Sequence, residues 1–405
     1  MLFGYYPYAS KATGRTSGRK EVGPDRNSWP QYFRKNGYHS ARVSKVFHMG
    51  VPTDIAPGRN GDDDPASWDE AFNSRGPEAK APGIGETLQN NPDRVKKGAA
   101  GGNRIVVVEA DGDDTVHSDG KTASKAVELI NQYKKQNKPF FLAVGFVRPH
   151  VPFVAPRKYF EPYDYNKMVL PPKIPGDRDD IPPAALADRV HQRELSLAKR
   201  REIIQAYYAS ISLMDACVGK LLDALDRLKL ADNTIVVFFS DHGYHLGQHG
   251  LWQKSDLFEG SARVPLILSI PGMKNAGLAS DSLAELIDLY PTLAGLCGLA
   301  KPTHLNGLSL MPVLNNPKAK VRQAAFTGTR IRGKIPGGKK NNKLGHTMRT
   351  ERYRYTEWDD GKHGVELYDY NTDPNEYTNL AKRASGKKVL KGMQQLMQAT
   401  RADTR

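Results

Sequence analysis

The chain has 405 residues, 39% of them hydrophobic and 25% charged, with 37 Gly and 27 Pro, a composition that excludes a disordered or fibrous protein. Lys and Arg number 59 against 44 Asp and Glu, a formal charge of +15; such a field favours polyanions (nucleic acid, anionic lipid, sulfated or carboxylated glycans) and equally serves plain solubility. At roughly 150 residues per domain the length predicts two domains or three, each able to bury a core.

The opening MLFGYYPYASKATGRTSGRK has a short apolar start and no long apolar run of the kind a signal peptide needs. A helix is predicted from Ser28 as N-cap through WPQYFRKN, with Pro30 in its first turn and Gly37 just past its end. A strand over Tyr38 to Val43 delivers SKVFH, and residues 50 to 104, rich in Pro, Gly, Asn and Asp, read as long surface loops. KTASKAVELINQYKKQ sets Ala123, Val127 and Ile130 on one helical face, and the continuous run PFFLAVGFV behind it predicts a buried strand. That run, the longest apolar stretch, falls far short of the ~20 residues that cross a bilayer, so no membrane span is expected. Ile204, Tyr207, Ile211, Met214, Val218, Leu221, Leu225 and Leu228 mark one stripe of a long helix. Two further apolar runs follow, Ile235 to Phe239 and Val264 to Ile270. Continuous β-branched runs between helices predict an α/β fold with a mostly parallel sheet covered on both faces. Cys217 and Cys297 lie in apolar helical patterns, so buried thiols are expected rather than a disulfide, and no CxxC motif occurs. Beyond about residue 315 a basic, glycine-rich stretch leads into HTMRTERYRYTEW, which alternates as a half-exposed antiparallel strand does, with VELYDY to pair with it and a final amphipathic helix in KKVLKGMQQLMQA. The predicted division is therefore residues 1–315 and a small α+β domain over 316–405.

In open α/β sheets ligands bind beyond the carboxyl ends of the strands, and three polar clusters fall there. Lys45 and His48 follow the first strand, Arg148 and His150 follow PFFLAVGFV, and Asp241 and His242 follow IVVFFS, with His245, His249 and Lys254 further along that loop. Any one of these has a plain reading as a solvated side chain or a turn residue; three clusters at strand tips point to a site. A zinc-protease reading of HLGQH fails, because such a pair needs a regular helix and a neighbouring Glu, whereas Gly243, Gly247 and Gly250 break one.

SKVFH (44–48), FLAVGFVRPHVPF (141–153), SDHGYHLGQHGLWQK (240–254) and ARVPLILSIPG (262–272), followed in order by ELIDLYPTLAGLCGL, NGLSLMPVL and YDYNTDPNEYTNLA, resemble the type I sulfatase family, in particular its iduronate-2-sulfatase-like branch. The resemblance covers nearly the whole chain and implies an alkaline phosphatase-like α/β core acting on a sulfated saccharide with a calcium ion. It implies that Lys45 and Lys254 bind sulfate oxygens, that His150 also binds sulfate and protonates the leaving oxygen, and that His48 contacts the nucleophile and assists breakdown of the sulfated intermediate. Asp241 and His242 become two calcium ligands; a carboxylate oxygen suits that ion, an imidazole less usually. The roles agree with what a sulfate ester demands, which is cations around its oxygens and an acid for its alkoxide.

The sequence departs from the family in one respect. The family nucleophile is a formylglycine made from the Cys of Cys-x-Pro-Ser-Arg, preceded by two acidic metal ligands, and these are not found here: Cys217 is followed by ValGlyLys, Cys297 by GlyLeuAla, and Ser28-Trp29-Pro30 continues into Gln31 and Tyr32. MLFGYYP resembles the segment that follows the motif in the family, so the resemblance reads as one to an N-terminally truncated member, expected to be impaired as it stands; a pseudoenzyme is the competing explanation, disfavoured because all six site residues remain. Loss of a sheet strand would also predict aggregation. A phosphodiester or phosphonate hydrolase of the same superfamily is the alternative activity. A polyanion-binding module using Arg330, Arg332, Lys334, Lys339, Lys340 and Lys343 is the alternative class, although no specific nucleic-acid signature is present. The family implies a periplasmic or secreted location if a signal peptide lies upstream; the oligomeric state is not readable.

Overall fold

The chain divides into two units in a computed structural model that describes residues 1–6, 9, 18–85, 105–187, 195–335 and 343–403. One is built from Arg15–Leu170 and Leu195–Ile235, the other from Met1–Gly14, Pro171–Glu194 and Val236–Arg405. Among the described residues no helix is long and apolar enough to cross a membrane, and Cys217 and Cys297 are unbridged thiols.

In the first of these units α1 (Trp29–Lys35) starts as its sequence dictates: the Ser28 hydroxyl accepts the Gln31 N–H at 3.2 Å, and Gly37 supplies the left-handed turn, φ 90°, that ends it. The chain then enters β1 (His39–Ser44), which lies parallel to both β2 (Glu70–Phe72) and a later strand. Residues 50–85 are more ordered than their composition predicts, holding β2, β3 (Gly83–Gly85) and single 3-10 turns at Pro65–Ser67 and Glu78–Lys80. β4 (Val107–Ala110) pairs antiparallel with β3 and parallel with β6 (Phe153–Pro156). Between them run α2 (Ser118–Gln136) and β5 (Phe140–Gly145), the latter in register with β1 from His39 opposite Phe140 to Ser44 opposite Gly145. Ala41 and Val43 of β1 form a core with Ala126, Leu129 and Tyr133 of α2.

Two expectations are corrected in this unit. The apolar run of β5 is half-buried along its whole length instead of buried; among the described strands it has a ladder on one edge alone, to β1. The long helix α3 (Leu197–Arg227) buries Ile203, Ala206, Ser210, Leu213 and Cys217 most completely, a face rotated from the predicted stripe, of which Tyr207, Ile211, Met214 and Val218 stay half-buried. Small residues on the buried face let α2 and α3 pack closely.

In the other unit β7 (Val236–Phe239) carries a loop with the short hairpin β8 (His245–Leu246) and β9 (Trp252–Gln253), then pairs with β10 (Leu266–Ser269). This pair is antiparallel, Leu266 opposite Phe239, where the sequence predicted parallel strands, because the 26-residue-scale connection returns as a hairpin and not through a helix of crossover length. α4 (Leu289–Leu296) follows. β11 (Ala325–Arg330), β12 (Leu344–Arg349), β13 (Tyr353–Trp358) and β14 (Val365–Asp369) form an antiparallel meander. HTMRTERYRYTEW is thus most of a β12–β13 hairpin, four residues of β12, the turn and the whole of β13, not one strand, and it is buried on both faces. One face packs Met348, Tyr355 and Leu367 against Met393 and Met397 of the terminal helix α5 (Lys387–Asp403). The other packs Trp358 and Tyr368 against Leu251, Leu257, Phe258 and Ile181.

Candidate active site

The six predicted site residues fall three in each unit. Lys45, His48 and His150 share the first. Lys45 leaves the carboxyl end of β1, its N–H bonded to the Gly145 carbonyl at the carboxyl end of β5 at 3.1 Å. A Cβ on Gly145 would stand 1.9 Å from the Lys45 carbonyl oxygen, so glycine is required for the two strand tips to run this close. Phe47 and Met49 are buried and turn His48 outward between them; Met49 shares a small core cluster with Val147, one residue before Arg148. The structure therefore seats the His48 and His150 segments on one patch of core.

His150 is held by its backbone. Its N–H donates to the Val147 carbonyl at 2.8 Å, and its Nδ1 donates to the Val151 carbonyl at 2.6 Å, which leaves Nε2 as the nitrogen for proton transfer. Asp119 accepts the N–H groups of Val147 and Arg148 at 2.7 and 2.8 Å; burial pushes its carboxyl up, against the pull of Arg148 and these two amides.

Asp241, His242 and Lys254 share the other unit. The His242 Nδ1 donates to the Gly243 carbonyl at 2.8 Å, so Nε2 keeps its lone pair, and the Lys254 ammonium donates to that lone pair at 2.7 Å. Asp241 Oδ1 lies 3.6 Å from the same nitrogen. A carboxylate and an imidazole lone pair turned toward a cation are a donor set that fits part of a divalent-ion shell. The loop behind them is locked by buried pairs: His245 Nε2 and Asp256 Oδ1 at 3.0 Å, and His249 Nδ1 and Asp177 Oδ1 at 3.0 Å. Burial pulls the His245 imidazole down, but the Asp256 carboxylate more than offsets this and leaves it above its usual value.

One feature of the lysines was not visible in the sequence. Ser44, before Lys45, has φ 62°, and Gln253 and Ser255, on either side of Lys254, have φ 78° and 86°. Non-glycine residues seldom hold the left-handed region, and where they do the strain clusters at functional sites. A second group, His346, Glu357 and Asp360, has ligand atoms within 4.8 Å of one another. It encloses the Arg401 guanidinium, which donates to Glu357 at 2.7 Å, Asp360 at 3.1 Å and His346 Nδ1 at 2.5 Å; burial and Arg401 hold the His346 imidazole down to about 4. Of the basic stretch, Lys343 pairs with Asp359 at 2.9 Å, and Lys339 and Lys340 lie outside the described residues.

Comparison with solved structures defines the class. The chain aligns over 99% of its length with 87% of a structure bound to its substrate D-glucosamine-2-N,6-O-disulfate, at TM-score 0.71 and 19% identity. It aligns over its full length with 85% of the phosphonate monoester hydrolase of Silicibacter pomeroyi, at TM-score 0.75 and 19% identity. These likenesses show the alkaline phosphatase-like fold. The Sulfatase family model matches residues 1–299, and the chain belongs to this family of sulfuric ester hydrolases. A model described as N-sulphoglucosamine sulphohydrolase, C-terminal, matches residues 247–403. A sulfatase of Formosa agariphila is 32% identical over 92% of this chain and 69% of its own length. Human iduronate 2-sulfatase is 30% identical over 88% of this chain and 77% of its own.

Proposed function

We propose that the protein removes sulfate from a sulfated saccharide with calcium as its cofactor. The observation that carries this is the local geometry of His242, whose lone pair is already turned to a cation beside Asp241, in a chain whose family hydrolyses sulfate esters. Lys45 and Lys254 bind sulfate oxygens, lowering the cost of charge that builds on them. His150 enters as the imidazolium, its Nδ1–H steadied by the Val151 carbonyl, and gives the Nε2 proton to the leaving sugar oxygen. His48 takes part in release of sulfate from the nucleophile. Asp241 and His242 would hold the calcium ion, which would supply Lewis acidity there. The nucleophile is assigned to none of these 405 residues, since neither cysteine stands in Cys-x-Pro-Ser-Arg, and turnover by this chain alone is expected to be impaired. The iduronate 2-sulfatase relatives favour an acidic sugar as substrate and the neighbour bound to D-glucosamine-2-N,6-O-disulfate an amino sugar; the family favours a periplasmic or secreted location if a signal peptide lies upstream.

Binding tests this without requiring turnover. Calorimetric titration of the chain with a sulfated monosaccharide, in calcium and in chelator, is expected to show calcium-dependent binding that Lys45→Ala and Lys254→Ala each weaken at least tenfold. Equal binding of the unsulfated sugar would overturn the proposal, and stronger binding of a phosphonate monoester would replace the substrate class.

A further inference from the structure

Residues 62 to 64 are three consecutive aspartates, and the structure gives each its own partner. Asp63 pairs with Arg42 at 2.7 Å, side chains 6% and 1% exposed, and accepts the Trp68 indole N–H at 3.1 Å. Asp64 takes Arg19 at 2.6 Å and the Ser67 hydroxyl at 2.5 Å. These two are anchors. Asp62 differs: its Oδ2 lies 3.3 Å from His48 Nδ1, and both side chains are 41% exposed.

The backbone fixes this approach as well. The Asp62 N–H donates to the His48 carbonyl at 2.8 Å. Gly61, φ 62°, runs so close that a Cβ there would stand 2.5 Å from the same carbonyl oxygen. His48 is set from its own side by buried Phe47, packed edge-on against Trp68 at 6.1 Å, and by buried Met49. Trp68 is the residue that also donates to Asp63, so the histidine segment and the aspartate run are tied to one side chain.

The contact is an ion-pair approach at 3.3 Å; an ionised carboxylate is an acceptor only, so it favours the hydrogen on the imidazole nitrogen that faces it, and the second nitrogen of a neutral ring then carries the lone pair. We propose that Asp62 is a positioning residue for His48, holding Nδ1 as the hydrogen-bearing nitrogen and presenting Nε2 as the proton acceptor. This rests on the role of His48 given under Proposed function, but the tautomer itself is a property of the chain and is measured without substrate.

The test is the nitrogen chemical shifts of His48 in the full chain labelled with 15N, recorded at low salt across its titration, for the wild type, Asp62→Asn and Asp62→Ala. The wild type is expected to be protonated at Nδ1 in its neutral form. Asp62→Asn, which keeps an acceptor oxygen and the shape, should retain that tautomer. Asp62→Ala should lose the tautomer preference, and Asp62→Glu should restore it in part. A wild-type ring protonated at Nε2, or a tautomer preference unmoved in Asp62→Ala, would overturn the proposal; the wild-type measurement decides even where the alanine variant fails to fold. His48→Ala separates the two layers: undiminished sulfate-ester hydrolysis, measured with a formylglycine-bearing segment supplied, would remove the role of His48 and leave the Asp62 measurement standing.

Discussion

Arg148 and Glu78 form an ion pair at 2.6 Å with side chains only 2% and 1% exposed. The same guanidinium donates to the Val154 carbonyl at 2.9 Å and the His150 carbonyl at 3.2 Å, so Arg148 closes the turn that carries His150 back onto β6. Desolvation of two charges offsets much of their attraction, and such a pair therefore adds little net stability while it is intact. Its removal is another matter.

Glu78→Ala or Arg148→Ala strands the surviving charge in the core, and each is expected to cost about 3–5 kcal/mol in urea unfolding. Replacing both by Met should recover much of that loss, with a coupling energy well above the 0.5 kcal/mol of independent sites. Single variants within 1 kcal/mol of wild type would show that the pair is solvated.

Gly243 is placed so that an added Cβ would meet the Gly260 carbonyl oxygen at 2.1 Å, a backbone atom that cannot step aside. Gly243→Ala should therefore push the Asp241–His242 segment off Glu259–Ala262 and break the 2.9 Å bond from the Gly243 N–H to Ser261. The readout is loss of the His242 nitrogen shifts that report the Lys254 contact, with a lower Tm. Unchanged shifts would mean the loop finds another path.

The Lys254 ammonium stands where a metal ion would meet the His242 lone pair. Removing that positive charge should make calcium binding tighter, by several-fold in titration calorimetry, whereas Asp241→Asn and His242→Ala should weaken it at least tenfold by taking away a donor. Weaker calcium binding in Lys254→Met would refute this sign.

The six candidate residues could be named from the sequence because they follow strands, and strand ends are marked by where apolar runs stop. Their support could not. Glu78 and Arg148 are 70 positions apart and Asp256 reaches His245 only through the hairpin of β8 and β9; such pairing is decided by the fold, and each residue alone reads as surface charge. The left-handed Ser44, Gln253 and Ser255 carry no glycine or asparagine signal. The runs in β5 and β7 read as buried because apolar content predicts burial, yet among the described strands each has a ladder on one side alone and is half-buried. The helix α3 misled for the opposite reason: its most buried positions include Ala206 and Ser210, which an apolar stripe passes over.

Glu366 accepts the Trp358 indole N–H at 2.6 Å and the Tyr368 hydroxyl at 3.0 Å, and burial raises its carboxyl to about 7 despite these donors. Below the ordinary glutamate value near 4.3 the group is protonated in both folded and unfolded chains and pH has no effect through it. Between there and about 7 only the folded chain holds the proton, so stability falls as pH rises, by about 1.4 kcal/mol per unit at most. Above 7 both states are ionised and the loss is complete. Glu366→Gln, neutral throughout, should remove this slope: its stability relative to wild type is expected to improve steadily from pH 4.5 to pH 7 and then level off. Urea midpoints measured at half-unit steps would show it, and a constant difference across that range would place the Glu366 titration outside the window.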